Sequence, residues 1–102
     1  MNVFAIEYTY SPDSEAITQI RPRHREFLRE LLESGNLIGS GPYTDGDGGA
    51  LIVIRLPEGS SISDAEQLMD KDPFFLEGAL EARTFHTWNP VLNVFKEPHA
   101  ES

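Results

Sequence analysis

The sequence contains no cysteine, which excludes disulfide bonds, thiolate nucleophiles and thiolate metal ligands. A cysteine-free chain fits the reducing cytoplasm, where we expect this protein to be. No apolar run approaches the roughly 20 residues that a membrane-spanning helix requires, so no membrane insertion is predicted. Residues 1–8 lack a basic segment and a small-residue cleavage site, and this favours a mature first strand over a signal peptide.

Basic residues are scarce as well. Lysine and arginine total 8 against 17 aspartates and glutamates, which gives a formal net charge of −9. A field of this sign repels a phosphate backbone, so nucleic acid is not an expected partner. Four arginines cluster between residues 21 and 29, but glutamates are interleaved with them, and Glu26 and Arg29 form an attractive pair three residues apart. We interpret this segment as the solvated face of a helix.

Metal and phosphate motifs are missing too. Asp45 and Asp47 resemble a calcium loop, but no glutamate stands at its closing position. The histidines His24, His86 and His99 show no metal-ligand spacing. No glycine-rich phosphate loop ending in lysine occurs. We therefore expect neither a metal nor a cofactor.

What the sequence does contain is the pattern of one small domain. The chain has 102 residues, 39% of them hydrophobic and 25% charged. Turn residues and hydrophobic periodicity predict four strands, at 3–8, 37–43, 50–56 and 82–88. They predict three helical segments, at 22–34, 61–71 and 73–80. Pro22 is interpreted as the first-turn proline that opens the helix at 22–34, and residues 14–20 could add a helical turn with Ile17 and Ile20 facing inward.

The order β-α-β-β-α-β with two right-handed crossovers predicts an α+β, ferredoxin-like fold. It has a four-stranded antiparallel sheet with both helices on one face. We expect a single domain over 1–95 and a disordered polar tail at 96–102. Residues 50–56 are apolar on both sides, so the second sheet face also needs cover. A homodimer through that face is the simplest solution, with His86 and Trp88 lining the interface or a pocket. Residues 91–95 could cover part of the face or reach across to the partner.

A histidine interrupts the apolar stripe of the first long helix. His24, Leu28 and Leu31 follow i, i+4, i+7 spacing, which places His24 on the buried side. Its neighbours Arg23 and Arg25 are expected to point elsewhere. A buried histidine is more often a structural residue than a catalyst, so spacing alone leaves both roles open.

The next helix presents an aspartate in the same way. Asp72 lies seven residues after Ala65 on the apolar stripe, and a buried carboxylate is unfavourable unless it is paired. An imidazole and a carboxylate beneath one sheet would satisfy each other. They would also form an acid/base pair in which the carboxylate fixes the tautomer and supports the imidazolium. Alternatively, Asp72 precedes Pro73 and could simply cap the following helix.

A glycine-flanked serine marks a further candidate. Ser40 and Gly41 lie in the run Gly-Ser-Gly-Pro, where backbone can approach a ligand closely and the hydroxyl can donate a hydrogen bond. The pattern is not a nucleophile elbow. A strand bulge is the slightly favoured alternative.

Taken in order, several segments resemble the YciI-like (YCII-related) proteins. They are VFAIEYTY, RPRHREFLRELLESGNLIGSGPY, GGALIVIRL and DKDPFFLEGALEARTFHTW, with H-x-x-F-L, S-G-P and D-P-F as the most specific parts. The resemblance implies a dimeric α/β barrel similar to muconolactone isomerases. It also implies an active site built on a histidine and an aspartate, which fall on His24 and Asp72, with the serine of S-G-P at Ser40. The turn at 44–49 is longer here, and a C-terminal extension follows residue 90.

Two classes of function are consistent with these residues. As an enzyme, the protein would transfer a proton through His24, oriented by Asp72, on a small-molecule substrate held by Ser40 and Gly41. Isomerase- or lyase-type chemistry of this kind needs no cofactor. A lactone or a substituted phenol would be the substrate by fold analogy. As a non-catalytic module, the same fold would bind a small molecule or dock onto another protein.

Overall fold

The computed structural model describes residues 2–95. Its seven elements are β1 (Asn2–Thr9), α1 (Glu15–Glu33), β2 (Leu37–Pro42), β3 (Ala50–Leu56), α2 (Ile62–Met69), α3 (Pro73–Leu76) and β4 (Ala82–Trp88). The predicted strands and their order are confirmed, and the second crossover carries two short helices. The tail predicted at 96–102 lies outside the described residues.

The four strands form one sheet in the order β2-β3-β1-β4, and every neighbouring pair is antiparallel. This is the ferredoxin-like arrangement that the sequence predicts. Alternation along β1 buries Phe4, Ile6 and Tyr8 on one sheet face, each at most 1% exposed. The helices cover that face, and the core lies between the two layers.

The first helix begins at Glu15, so the prediction that Pro22 opens it is wrong. The Ser14 side chain accepts a hydrogen bond from the Ile17 backbone N–H and caps the helix there. An interior proline costs about 3 kcal/mol, because it lacks an N–H and crowds the preceding turn. Ile17 and Ile20 are 1% and 5% exposed, and burying each of these side chains stabilises the fold by about 1.5–3 kcal/mol, which offsets that cost. One continuous helix therefore carries the arginine-rich segment.

Other predicted boundaries shift as well. The second helix ends at Met69 instead of residue 71, so the prediction that Asp72 continues its apolar stripe is wrong, and Asp72 instead precedes α3. The last helix stops at Leu76 instead of residue 80. Strand β2 ends at Pro42, and its register shifts between Leu37 and Gly39. Residues 39–42 pair regularly with β3, so the bulge considered at Ser40 lies earlier in the strand than expected.

The 44–49 turn packs tightly against the end of β1. Gly48 and Gly49 have φ values of 80° and 85°, and only glycine adopts such angles without strain. A Cβ atom at Gly48 would lie 2.4 Å from the carbonyl oxygen of Tyr10, and one at Gly49 would lie 2.7 Å from that of Tyr8. The turn can approach the strand this closely because both residues lack a side chain.

The second sheet face is apolar, as the pattern of β3 predicts. It presents Val53, Leu51 and Trp88, of which the last two are 36% and 42% exposed. Phe95 packs its ring against Trp88, with 6.2 Å between the ring centroids, so the C-terminal segment covers a corner of this face. Within residues 2–95 no helix is long and apolar enough to cross a membrane.

Candidate functional site

The structure brings His24 and Asp72 together beneath the sheet. His24 lies on the buried side of α1 and is 7% exposed, and Asp72 immediately precedes α3 and is fully buried. Nδ1 of the imidazole lies 2.9 Å from both carboxylate oxygens of Asp72. A carboxylate only accepts hydrogen bonds, so the neutral ring carries its proton on Nδ1.

The carboxylate of Asp72 accepts hydrogen bonds from three groups. Besides His24, the backbone N–H of Phe74 donates to Oδ1 at 3.1 Å, and the Tyr8 hydroxyl donates to Oδ2 at 2.7 Å. Asp72 is therefore both the N-cap of α3 and the partner of the histidine, which are the two roles that its sequence position suggested. With three donors, the buried charge is well satisfied.

Tyr8 is a member of this network that sequence reasoning missed. It lies on the buried face of β1 and looks like any aromatic core residue. Burial, followed by the neighbouring charge of Asp72 and the hydrogen bond to it, raises the pKa of the phenol far above its ordinary range. The nearby guanidinium of Arg83 acts in the opposite direction on that pKa. Tyr8 therefore stays protonated and acts as a permanent donor to the carboxylate.

Phe74 fixes the plane of the imidazole. Its ring stacks on His24 with 3.9 Å between centroids and an interplanar angle of 14°. Because Phe74 lies only two residues after the cap residue Asp72, a single turn of chain supplies both the carboxylate and the stacking ring. The ring of His24 is thus held by a hydrogen bond at one edge and by a parallel aromatic face.

The second imidazole nitrogen, Nε2, opens towards solvent. It has no hydrogen-bond partner among residues 2–95, and within that range Nη1 of Arg83 is the only side-chain nitrogen or oxygen that is both sealed from solvent and unpaired. His24 borders a cavity of about 190 Å³ between the first helix and the sheet. A neutral ring with Nδ1–H bound behind it presents an Nε2 lone pair to that cavity, where it can accept a proton.

Ser40 and Gly41 lie on the opposite wall of the same cavity. Both are exposed residues of β2, and Ser40 is in register with Ile52 of the helix-facing side of β3. The register of β2 shifts before Gly39, so the irregularity does not disturb Ser40 and Gly41 at the cavity. The remaining wall residues are Tyr10, Arg21, Arg25, Leu28, Pro42, Ala50 and Phe74.

The arginine-rich segment is not uniformly solvated. Arg23 forms an ion pair with Glu77 after α3, and Arg29 pairs with Glu26 at 3.0 Å, as the sequence predicts. Arg21 and Arg25 instead line the cavity beside His24. The expectation that Arg25 points away from His24 is wrong, because a long side chain on an adjacent helix position can reach the same opening.

His86 lies apart from this cavity. It faces the exposed side of the sheet with Trp88 and Val53. Within the described range, 2–95, no group of three or more histidine, aspartate or glutamate side chains could hold a metal ion.

Comparison with known proteins identifies a family and a fold. The profile of the YCII-related domain matches residues 2–89. No curated protein matches the chain.

Several solved structures resemble the fold, among them the following three. The chain resembles 5-chloro-2-hydroxyhydroquinone dehydrochlorinase (TftG) from Burkholderia phenoliruptrix AC1100, solved in complex with 2,5-dihydroxybenzoquinone. That match has 20% identity and a TM-score of 0.70, over 85% of this chain and 93% of the other. The chain also resembles an antibiotic biosynthesis monooxygenase, with 13% identity and a TM-score of 0.56 over 87% and 97% of the two chains. The C-terminal domain of MgtC from Mycobacterium tuberculosis gives 17% identity and a TM-score of 0.51 over 86% and 88%. At these identities the likeness shows the fold.

Proposed function

The chain is a member of the YCII-related family, and from this membership and the site geometry we propose that it is an enzyme acting on a small molecule. Its reaction is a proton transfer of the isomerase or lyase type, carried out by His24 and Asp72 without a cofactor. The observation that carries the proposal is the arrangement of the imidazole. Nδ1 is bound by a fully buried carboxylate, while the ring borders an open cavity.

In the proposed reaction, Nε2 of His24 removes a proton from the substrate and returns it later. Asp72 holds the tautomer in which Nε2 is free, and its negative charge stabilises the imidazolium formed by the transfer. The Ser40 hydroxyl and the neighbouring backbone at Gly41 would bind a substrate oxygen that gains negative charge. These steps use only groups that line or support the cavity.

The cavity size favours a substrate with one ring. Its volume of about 190 Å³ is below the roughly 300–1,000 Å³ of ordinary ligand pockets. The rings of Phe74 and Tyr10 and the side chain of Leu28 offer it an apolar wall.

A lyase reaction draws support from one structural relative. That relative is named as a dehydrochlorinase of a chlorinated hydroxyhydroquinone. Dehydrochlorination removes a proton and a chloride ion from one substrate while the electrons of the broken bond to hydrogen form a new double bond. It needs a base but no oxidant, so a His24 base would be sufficient.

The test is turnover by a pair of histidine variants. His24→Asn keeps a nitrogen donor near Asp72 but removes Nε2, whereas His86→Asn changes an exposed histidine on the other sheet face. Both are assayed with chlorinated hydroxyhydroquinones and small lactones, by chloride release and by absorbance. We expect His24→Asn to lose about 10²–10⁴-fold in rate and His86→Asn to keep the wild-type rate.

Two results would argue against the enzyme. One is a His24→Asn variant that turns substrate over as fast as wild type. The other is a wild-type protein that binds the compounds at the cavity but converts none of them, which would favour the non-catalytic binding module.

We also propose a homodimer through the exposed sheet face. Leu51 and Trp88 leave apolar surface there, and covering it with a second copy buries that surface on both chains. Analytical ultracentrifugation should give a dimer for wild type and a monomer for Leu51→Lys. A monomeric wild type would contradict this proposal and leave the chemistry of His24 untouched.

A further inference from the structure

The six arginines of the chain divide into two groups. Four have partners: Arg23 with Glu77, Arg29 with Glu26, Arg83 with Asp70, and Arg55 with the Gly35 carbonyl. The other two, Arg21 and Arg25, have no hydrogen bond or ion pair within residues 2–95. Both line the cavity at His24. In a chain with 17 acidic residues and a net charge of −9, two unpaired arginines at one opening are unexpected.

The cavity has the opposite charge to the rest of the protein. Among residues 2–95, no aspartate or glutamate lines it, and the nearest buried carboxylate in that range, Asp72, lies behind the histidine and already accepts three hydrogen bonds. Such a local positive field in an acidic protein attracts and orients anions.

The helix geometry supports the same conclusion. Arg21 and Arg25 are four residues apart on α1, so they lie on one face as a like-charge pair that destabilises the helix. An anion between them would turn this repulsion into attraction. His24 and Leu28 belong to the same face, so a ligand held by the arginines meets the imidazole and an apolar side chain at once.

From these observations we infer that the site accepts a small ring bearing a carboxylate, which Arg21 and Arg25 bind while the ring lies against His24. Guanidinium groups match a carboxylate through paired N–H donors. The apolar wall accommodates the ring, and Ser40 faces its other edge. The inference rests on the proposed function for the reaction, but the anion site itself depends only on binding.

The experiment compares two probes that differ in charge. Calorimetry measures binding of 2,5-dihydroxybenzoate and of the neutral 2,5-dihydroxybenzamide to the full chain. The variants are wild type, the double variant Arg21→Gln/Arg25→Gln, and Arg29→Gln, a matched control on the same helix whose arginine already pairs with Glu26. We expect wild type and Arg29→Gln to bind the carboxylate at least about tenfold more tightly than the amide, and the double variant to lose this preference. Added salt should weaken the binding of the carboxylate probe and leave the binding of the amide probe unchanged.

Equal affinity of wild type for the two probes would overturn the inference, as would no binding of the carboxylate or a preference that survives in the double variant. Circular dichroism establishes that the double variant is folded. A preference for the carboxylate without any turnover would support the anion site and contradict the proposed enzyme activity. Turnover of neutral rings without a preference for the carboxylate would support the enzyme activity and contradict the anion site.

Discussion

Replacing Asp72 separates the two roles of this side chain, because asparagine can cap a helix but cannot carry the charge. In Asp72→Asn, the amide oxygen still accepts from the Phe74 N–H, and asparagine is as good an N-cap as aspartate. The amide nitrogen now faces His24 and donates to Nδ1, so the imidazole proton moves to Nε2. Asp72→Ala removes the cap and the carboxylate together.

The magnitudes follow from the hydrogen bonds lost. In Asp72→Ala, the missing cap costs about 1 kcal/mol. The buried donors on Tyr8 and His24 are then left unpaired, at about 1–2 kcal/mol each. The sum is about 3–5 kcal/mol, a large part of the stability of a domain this size. Asp72→Asn keeps the cap and the contact with His24, but its amide nitrogen takes the place of the oxygen that accepts from the Tyr8 hydroxyl, so one buried donor is left unpaired and we expect a loss of about 1–2 kcal/mol.

Urea unfolding followed by circular dichroism measures both variants. The expected order is wild type, then Asp72→Asn, then Asp72→Ala, with at least about 1 kcal/mol between the two variants. Equal destabilisation by the two substitutions, or a loss below about 1 kcal/mol for alanine, would show that Asp72 does not cap α3 and satisfy the buried donors as described. In a turnover assay, Asp72→Asn should lose activity despite its stability, because its Nε2 carries a proton and cannot act as a base.

Two further predictions concern stability alone. Because burial raises the pKa of the Tyr8 phenol, only the unfolded chain releases this proton above about pH 10, so the free energy of unfolding falls as the pH rises beyond that value. Urea titrations at several pH values should show a shallower fall for Tyr8→Phe, and the same dependence of stability on pH in both proteins would contradict this. Gly48→Ala should destabilise the protein more than Gly46→Ala, because both residues have positive φ but only the Cβ at Gly48 would clash, at 2.4 Å from the Tyr10 carbonyl oxygen. Equal decreases in the midpoint of thermal unfolding would contradict the clash.

Much of the fold could be predicted because local patterns and packing agree. The strand β3 is apolar on both faces, and His24 stands out because polar residues rarely occupy apolar helical stripes. Asp72 was found by extending the stripe of α2 past its end at Met69, and it is buried because it caps α3. The first helix was the exception. Its start was misplaced because a proline at a first turn and one in a helix interior look alike, and the burial of Ile17 and Ile20 decides between them.

The residues that sequence reasoning missed have a physical reason in each case. Tyr8 continues the apolar alternation of β1, so its hydroxyl gives no signal until Asp72 is placed beside it. Arg21 and Arg25 belong to a run in which arginines and glutamates are interleaved, so the sequence does not show which arginines are paired. In the structure, Arg23 and Arg29 form ion pairs with glutamates, whereas Arg21 and Arg25 have no partner within residues 2–95 and line the cavity.

The position of the imidazole proton tests the central claim most directly. Long-range nitrogen–proton NMR spectra of the ¹⁵N-labelled protein report which nitrogen of the neutral imidazole carries the proton. The His24 signals are assigned by comparison with the His24→Asn variant. We expect a protonated Nδ1 and an unprotonated Nε2 whose resonance shifts when 2,5-dihydroxybenzoate is added. A proton on Nε2, with Nδ1 bare beside Asp72, would contradict it.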